Sequence, residues 1–232
     1  LLMRPVFAAA KKNPARIVFC EGEDARVLRA VQTVVDEGLA RPIVIGRPGV
    51  VEARVEKDGL RIRAGQHFEL VNPDSDPRYK DLWQDYYDLT CRKGVGVEYA
   101  KREVRRRTTL IGAMLIRHGY ADALLCGTFG RHALHLKYIE QVIGRRPGVE
   151  SFHAMNMIIL PSRTLFIESF HAMNMIILPS RTLFIGDTYV NYDPSAEQVA
   201  EMTVLGSEEV RRFGLAPKVA LLSHSSFGTE DT

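Results

Sequence analysis

Between Arg16 and Gly46 the chain alternates a short apolar run, a tight acidic loop, a helical repeat and a second apolar run, and this alternation constrains the fold more than any other feature. Arg16 to Cys20 is β-branched and aromatic and reads as a strand. Glu21-Gly-Glu-Asp24 is a loop, and Val27, Leu28, Val31, Val34 and Val35 then recur in threes and fours up to Gly38, the spacing of one helical face. Ile43 to Ile45, closed by Gly46, is a second strand. A strand, helix and strand of this length form a βαβ unit, whose strands must be parallel and whose helices cover the sheet. The expected fold class is therefore α/β, three-layered and mostly parallel. At 232 residues there is enough chain for one large or two modest α/β domains.

Further along, Phe68 to Val71 reads as a short strand stopped by Asn72-Pro-Asp-Ser-Asp-Pro77, and an aromatic-rich helix runs from Tyr79 to about Arg92. One helix is expected over 97–118, with apolar or small residues at 97, 100, 104, 108, 111 and 115 and Gly119 as its stop. Its other face carries Lys101, Arg102, Arg105, Arg106 and Arg107. Such a run suits either a nucleic-acid patch or a solvated helix face, and the solvated face is preferred: no aromatic residues interleave with the cations in sequence, and net charge is only +3. No nucleic-acid partner is expected. The 46% apolar and 25% charged composition excludes disordered and collagen-like chains, and no apolar run approaches the roughly 20 residues of a membrane span. Three scattered cysteines, Cys20, Cys91 and Cys126, suit a reducing compartment, with the cytoplasm as the expectation. The opening Leu-Leu-Met-Arg-Pro-Val-Phe has neither the pattern of a signal peptide nor the look of a natural start.

Ala121 to Cys126 is another strand, followed by Gly127-Thr-Phe-Gly130-Arg-His and a helix to about Ile143. A glycine loop at a strand's carboxyl end is where parallel α/β sheets collect ligands, and it is equally what a tight strand-to-helix turn needs. Both readings stay open on the residues alone. Glu150 to Ile167 is then repeated without a change as Glu168 to Ile185. Each copy reads as a hairpin, and one sheet position is expected for the two, so that one copy packs and the other is displaced. A helix is expected to start at Asp193 as cap with Pro194 in its first turn and to stop at Gly214, followed by a strand over Lys218 to Leu222 and the hydroxyl-rich loop Ser223 to Thr229. Cys126, His132 and His135 fall short of a metal set, and the adjacent Ser223 and His224 make no catalytic triad, so no metal ligand and no catalytic residue is assigned.

Six segments together carry a resemblance: Arg16-Ile-Val-Phe-Cys-Glu-Gly-Glu-Asp24, Arg92-Lys-Gly94, Ala121-Asp-Ala-Leu-Leu-Cys-Gly-Thr128, Gly186-Asp-Thr-Tyr-Val-Asn191, Asp193-Pro-Ser-Ala-Glu-Gln198 and Val219-Ala-Leu-Leu-Ser-His-Ser-Ser-Phe-Gly228. The chain resembles the phosphotransacetylase family, and most closely the phosphotransacetylase-like C-terminal domain of bacterial hybrid NADP-dependent malic enzymes. The resemblance implies two α/β domains, 1–143 and 144–232, with a cleft between them for acetyl-CoA or an acyl phosphate. It places Arg92, Gly127, Thr128, Gly130, Arg131, Lys137, Ser223, Ser225, Ser226, Gly228 and Thr229 at that binding site. Lys137 stands where phosphotransacetylases carry an arginine, keeping the charge and losing the bidentate fork that matches a phosphate face. The family's Asp-Leu-Ser-Arg-Gly motif belongs to a later segment that the chain does not reach. The resemblance therefore implies a regulatory, oligomerising domain that binds acetyl-CoA, within a homo-oligomer whose upstream malic enzyme domains use NADP and a divalent metal. The alternative is a phosphate acetyltransferase.

Overall fold

The computed structural model describes residues 3–148, 155–158, 173–177, 182–185 and 195–221. The chain divides into two compact units, Leu1–Gly144 and Arg145–Thr232. In unit 1 the strands β1 (Ala15–Phe19), β2 (Ala40–Ile45), β3 (Glu69–Val71) and β4 (Ala123–Leu125) form one sheet in the order β3-β2-β1-β4. All three pairings are parallel, with Phe19 opposite Val44 on one side and Leu125 on the other. The helices between them are α2 (Ala25–Asp36), α3 (Pro48–Lys57), α4 (Tyr79–Thr90) with a 3-10 turn at Cys91–Lys93, α5 (Val97–Arg106) and α6 (Thr108–Arg117); α1 (Met3–Lys12) precedes the sheet and α7 (His132–Val142) follows it.

The period of two along each strand divides the core into two layers. Val18, Cys20, Ile43, Ile45 and Val71 face Leu82, Tyr86, Val104, Leu110, Met114 and Tyr138 of α4 to α7. Phe19 and Val44, with Ile17 and Leu70, face Val27, Leu28 and Val31 of α2 and Val51 of α3. Helices on both faces of a parallel sheet give the expected three layers. The helix α3, for which no expectation was given, starts with Pro48 in its first turn, where the missing N–H is no loss.

The single helix expected over 97–118 is two. Arg107 adopts an extended conformation (φ −113°, ψ 95°) between α5 and α6. The physical reason is a change of environment: α5 buries only Ala100, Glu103 and Val104, whereas α6 is buried from Thr109 through Leu115 and has to turn into the core. The cations of α5 do find aromatic rings in space. Lys101 lies over Trp83, Arg105 over Tyr79 and Arg102 over Tyr99, so rings of α4 and α5 pack beneath the basic face. The interleaving missing from the local sequence is supplied largely by another helix.

In unit 2, β5 (Met155–Ile158), β6 (Met173–Ile177) and β7 (Thr182–Ile185) make a second sheet in that order. The β6–β7 pair is antiparallel, the expected hairpin, here drawn from the second copy of the repeat. The expectation of one sheet position for two copies does not hold. β5 comes from the first copy and pairs parallel with β6, each residue opposite its own duplicate, Met155 with Met173 through Ile158 with Ile176. Identical strands have identical side-chain periods, so parallel pairing in register satisfies both without a slip. The second strand expected in the first copy, Leu165-Phe-Ile167, lies outside the described residues. The final helix, α8 (Ala196–Arg212), is capped by Ser195 rather than Asp193: Ser195 and Gln198 form a reciprocal capping box, which takes precedence over the aspartate two residues earlier. It ends before Gly214 (φ 74°) as expected. No strand forms over Lys218 to Leu221; this segment has no pairing partner among the described residues, and Val219 and Leu221 are exposed.

Candidate functional site

The strand order places a topological switch at β1, whose neighbours β2 and β4 are reached by connections on opposite sides. The loops leaving β1 and β4 meet there. Glu21, only 4% exposed, accepts the backbone N–H of Gly127 at 3.0 Å through Oε1. Glu23 accepts the Arg47 backbone N–H at 3.0 Å and both ends of its guanidinium, at the start of α3. Asp24 caps α2 by accepting Arg26 N–H at 2.8 Å, and it also holds the Arg26 guanidinium. These hydrogen bonds hold the Glu23 carboxyl below the usual range and that of Asp24 down to about 2. The Glu-Gly-Glu-Asp loop is thus a clasp whose three carboxylates tie the β1, β2 and β4 loops together.

Its glycine is there for contact with backbone: a β-carbon at Gly22 would stand 2.2 Å from Val44 Cγ1 and 2.6 Å from Ile45 O. At the opposite end of β1, Arg16 donates to both oxygens of Asp122, and the Arg16 backbone N–H joins at 2.8 Å. Two of the segments that carry the family resemblance therefore have a structural task, fixing the β1–β4 pair at both ends.

The Gly127 to Arg131 loop is held from a second side. His135 on α7 donates Nε2–H to the Phe129 carbonyl at 2.9 Å, because a carbonyl can only accept; Nδ1 then receives the Thr109 hydroxyl at 2.7 Å. A β-carbon on Gly130 (φ 99°) would meet His135 Nε2 at 2.9 Å, so the latch requires glycine there. Arg26 also reaches the Thr128 carbonyl, at 3.4 Å. Beneath α7, Tyr138 donates to the buried carboxylate of Glu103, which also receives Arg107 Nε at 3.2 Å. Lys137 stands beside that anchor, exposed, with Nζ 5.8 Å from the Tyr138 ring centroid.

A cavity of about 560 Å³ opens at the carboxyl ends of β1, β2 and β3, lined by the clasp carboxylates Glu21, Glu23 and Asp24 together with Ile45, Arg54, Arg105 and Phe129. Of the residues assigned from sequence, Gly127, Thr128, Gly130 and Arg131 share one clasped loop at the switch point. None of those, nor Arg92 on its exposed 3-10 turn, nor Lys137, lines this cavity. Ser223, Ser225, Ser226, Gly228 and Thr229 lie outside the described residues. Sequence reasoning missed Arg26, Arg47, Arg54 and Arg105. The signal available was positional: Arg47 follows the strand-end Gly46 directly, Arg26 lies four residues past Gly22 and Arg105 stands in the basic run of the 97–118 segment, whereas Arg54 carries no local signal. Among the described residues no three His, Cys, Asp or Glu side chains gather as a metal set, and no helix is long and apolar enough to cross a membrane.

Comparison with known proteins places this geometry. The family profile described as phosphate acetyl/butaryl transferase matches residues 1–232. The chain is 47% identical over its whole length to the NADP-dependent malic enzyme of Salmonella typhimurium and 47% identical to the NAD-dependent malic enzyme of Rhizobium meliloti. It spans 28% of the length of each. The EutD phosphotransacetylase structure from Staphylococcus aureus superposes with a TM-score of 0.78 at 26% identity, covering 100% of this chain and 63% of that one.

Proposed function

Because the chain belongs to the phosphate acetyl/butaryl transferase family, we propose that it works as the phosphotransacetylase-like regulatory and oligomerising domain of a malic enzyme, binding acetyl-CoA rather than turning it over. The observation that carries this reading is the 47% identity along the whole chain to two malic enzymes, against 26% to the solved phosphotransacetylase. In this reading the oxidative decarboxylation of malate to pyruvate, with its nicotinamide cofactor and divalent metal, takes place on the parts of the longer protein outside this chain. Relatives of equal identity are named for NADP and for NAD, so the expectation of NADP rests on the notably similar hybrid enzymes and not on any residue here.

The chemistry of the polar groups suits the role. Arg92 is exposed and offers a guanidinium fork to a phosphate or thioester oxygen. The Gly127 to Arg131 loop, clasped by Glu21 and latched by His135, presents backbone from a fixed frame. Lys137 gives a point charge where two parallel hydrogen bonds would align an acyl phosphate for attack, which favours binding over transfer. Regulation requires that acetyl-CoA bind two states of the parent enzyme unequally, with the reciprocal effect on malate or cofactor binding.

The test is a titration of the full-length enzyme with acetyl-CoA while malate turnover is followed, with and without Arg92→Ala. A change in turnover that Arg92→Ala abolishes is the expected result; turnover indifferent to acetyl-CoA, with no heat of binding, leaves only a structural role. The second reading, acetyl transfer between phosphate and coenzyme A, is favoured by the likeness to the phosphotransacetylase fold. This chain is expected to give no CoA-dependent consumption of acetyl phosphate, and turnover lost in Arg92→Ala would reverse the two readings.

A further inference from the structure

Two cysteines that stand far apart in the chain meet where β1 and β4 end. The register that sets Phe19 opposite Leu125 makes Cys20 and Cys126 the next residues on their strands, and the Cys20 N–H donates to the Leu125 carbonyl at 3.0 Å, continuing the ladder. The period of two turns both side chains to one face: Cys20 belongs to the core layer shared with α4 to α7, and Leu124 and Cys126 pack against that same layer. Paired strands run about 4.8 Å apart, inside the span of roughly 4.4–6.8 Å between the α-carbons of a disulfide. Gly112 on α6 leaves room for the Cys20 sulfur, which a β-carbon at that position would meet at 2.8 Å. All three cysteines of the chain are thiols here.

The two thiols are not equivalent. Cys20 is fully buried, whereas Cys126 is half-buried beside the Gly127 loop. Burial pushes both thiols up; at Cys20 the neighbouring Cys126 and then Glu21 add to the rise, and at Cys126 Glu21 does. A hydrogen bond between Thr109 and Cys126 opposes it. That hydroxyl, itself 3% exposed, also donates to His135 Nδ1 at 2.7 Å. A proton leaving Cys126 therefore has a path: Thr109 Oγ accepts it while passing its own proton to Nδ1, and the imidazolium keeps its Nε2–H on the Phe129 carbonyl. Cys91 has no such path, its sulfur lying against the Asp88 carbonyl at 3.6 Å.

We propose that Cys126, with Thr109 and His135 as its proton path, and Cys20 form a thiol pair that a peroxide closes to a disulfide across the ends of β1 and β4. The Cys126 sulfur attacks one peroxide oxygen and the O–O bond breaks; the departing hydroxide takes the proton held on His135 and leaves as water. Cys126 is then a sulfenic acid. The Cys20 sulfur attacks the Cys126 sulfur, the S–O bond breaks, and the Cys20 proton leaves with the hydroxyl as a second water. The two thiols give up two electrons, and the peroxide takes them. The new bond lies one residue from the Glu21–Gly127 hydrogen bond, so it ties together covalently two loops that the clasp holds by hydrogen bonding. The inference stands apart from the regulatory reading, since it depends on neither Arg92 nor acetyl-CoA.

Treating the full chain with hydrogen peroxide under native conditions, alkylating the remaining thiols after denaturation and mapping peptides by mass tests it without any substitution. The expected product is a peptide pair linked through Cys20 and Cys126, lighter by two hydrogens, with Cys91 alkylated and both thiols restored by dithiothreitol. Cys20→Ala is expected to stop the reaction at the Cys126 sulfenic acid, which dimedone traps. Thr109→Val removes the proton path and is expected to slow closure about tenfold or more, and Thr109→Ser to restore the rate; circular dichroism checks that each variant keeps its fold. Thiols that stay alkylatable after peroxide, a link made through Cys91, closure no faster in the folded chain than in urea, or closure that Thr109→Val leaves unchanged overturns the proposal.

Discussion

Gly22 and Glu21 show how the chemistry of single residues closes the strand ends. A methyl group at position 22 would stand 2.6 Å from a backbone oxygen, which cannot move aside without breaking the sheet. Gly22→Ala is therefore expected to cost about 3 kcal/mol or more, read from urea denaturation. Glu21→Ala leaves the Gly127 amide without its buried acceptor and is expected to cost about 2 kcal/mol, while Glu21→Gln keeps an acceptor oxygen and loses less. Asp24 makes a prediction in pH. Its side-chain hydrogen bonds with Arg26, opposed by desolvation, hold its carboxyl at about 2 in the folded chain, below the roughly 3.9 of an unfolded aspartate. The folded state binds this proton more weakly, so the stabilisation is complete above about pH 4 and is lost as pH falls toward 2. Asp24→Asn should flatten the stability curve in that window. A remaining slope is expected from Asp122, held to about 2 by Arg16.

Among elements, α6 depends most on close packing. Gly112 lets this helix approach the sheet: a β-carbon there would meet Cys20 Sγ at 2.8 Å and Val18 Cγ1 at 3.3 Å. Gly112→Ala is expected to destabilise the protein by about 1–3 kcal/mol, and Cys20→Ala, by removing the nearer atom, to recover part of that loss in the double variant. Unfolding of the two single variants and the double variant measures the coupling. Additive losses would place the clash elsewhere. The α5–α7 contact rests on Tyr138, which donates to Glu103 and is 2% exposed. Tyr138→Phe keeps the ring but deprives the carboxylate of a donor, leaving Arg107, and should cost about 1–3 kcal/mol.

At the scale of the whole molecule the repeat is the unusual feature, and the structure changes what its deletion should do. Both copies supply strands to one sheet, and the first copy contains every residue of the second. Removing Glu168 to Ile185 is therefore expected to leave the first copy to form the hairpin itself. Thermal unfolding of the deleted chain should show the transition of unit 1 unchanged, because none of its strands or core residues comes from the repeat. A lowered transition for unit 1 would show that the duplicated segment has been incorporated into its stability.

What the sequence determined by itself is what depends on local pattern. The βαβ alternation, the strands at Val18 and Val44, the face of α2 and the stop at Gly214 follow from apolar spacing and glycine, which act over a few residues. The six segments that carry the family resemblance are likewise local stretches of sequence. Which distant groups meet follows instead from how the elements pack. Tertiary packing broke the helix at Arg107, because a solvated face and a core-facing turn cannot share one axis. It turned Glu21, Glu23 and Asp24 into a clasp for three loops, put aromatic rings beneath the cations of α5, and brought Arg54 and Arg105 to one cavity from positions 51 residues apart in the chain. Such pairings have no local signature, since a carboxylate or guanidinium carries the same charge whatever it will face; its partner is set by strand order and by the volume the core leaves between elements.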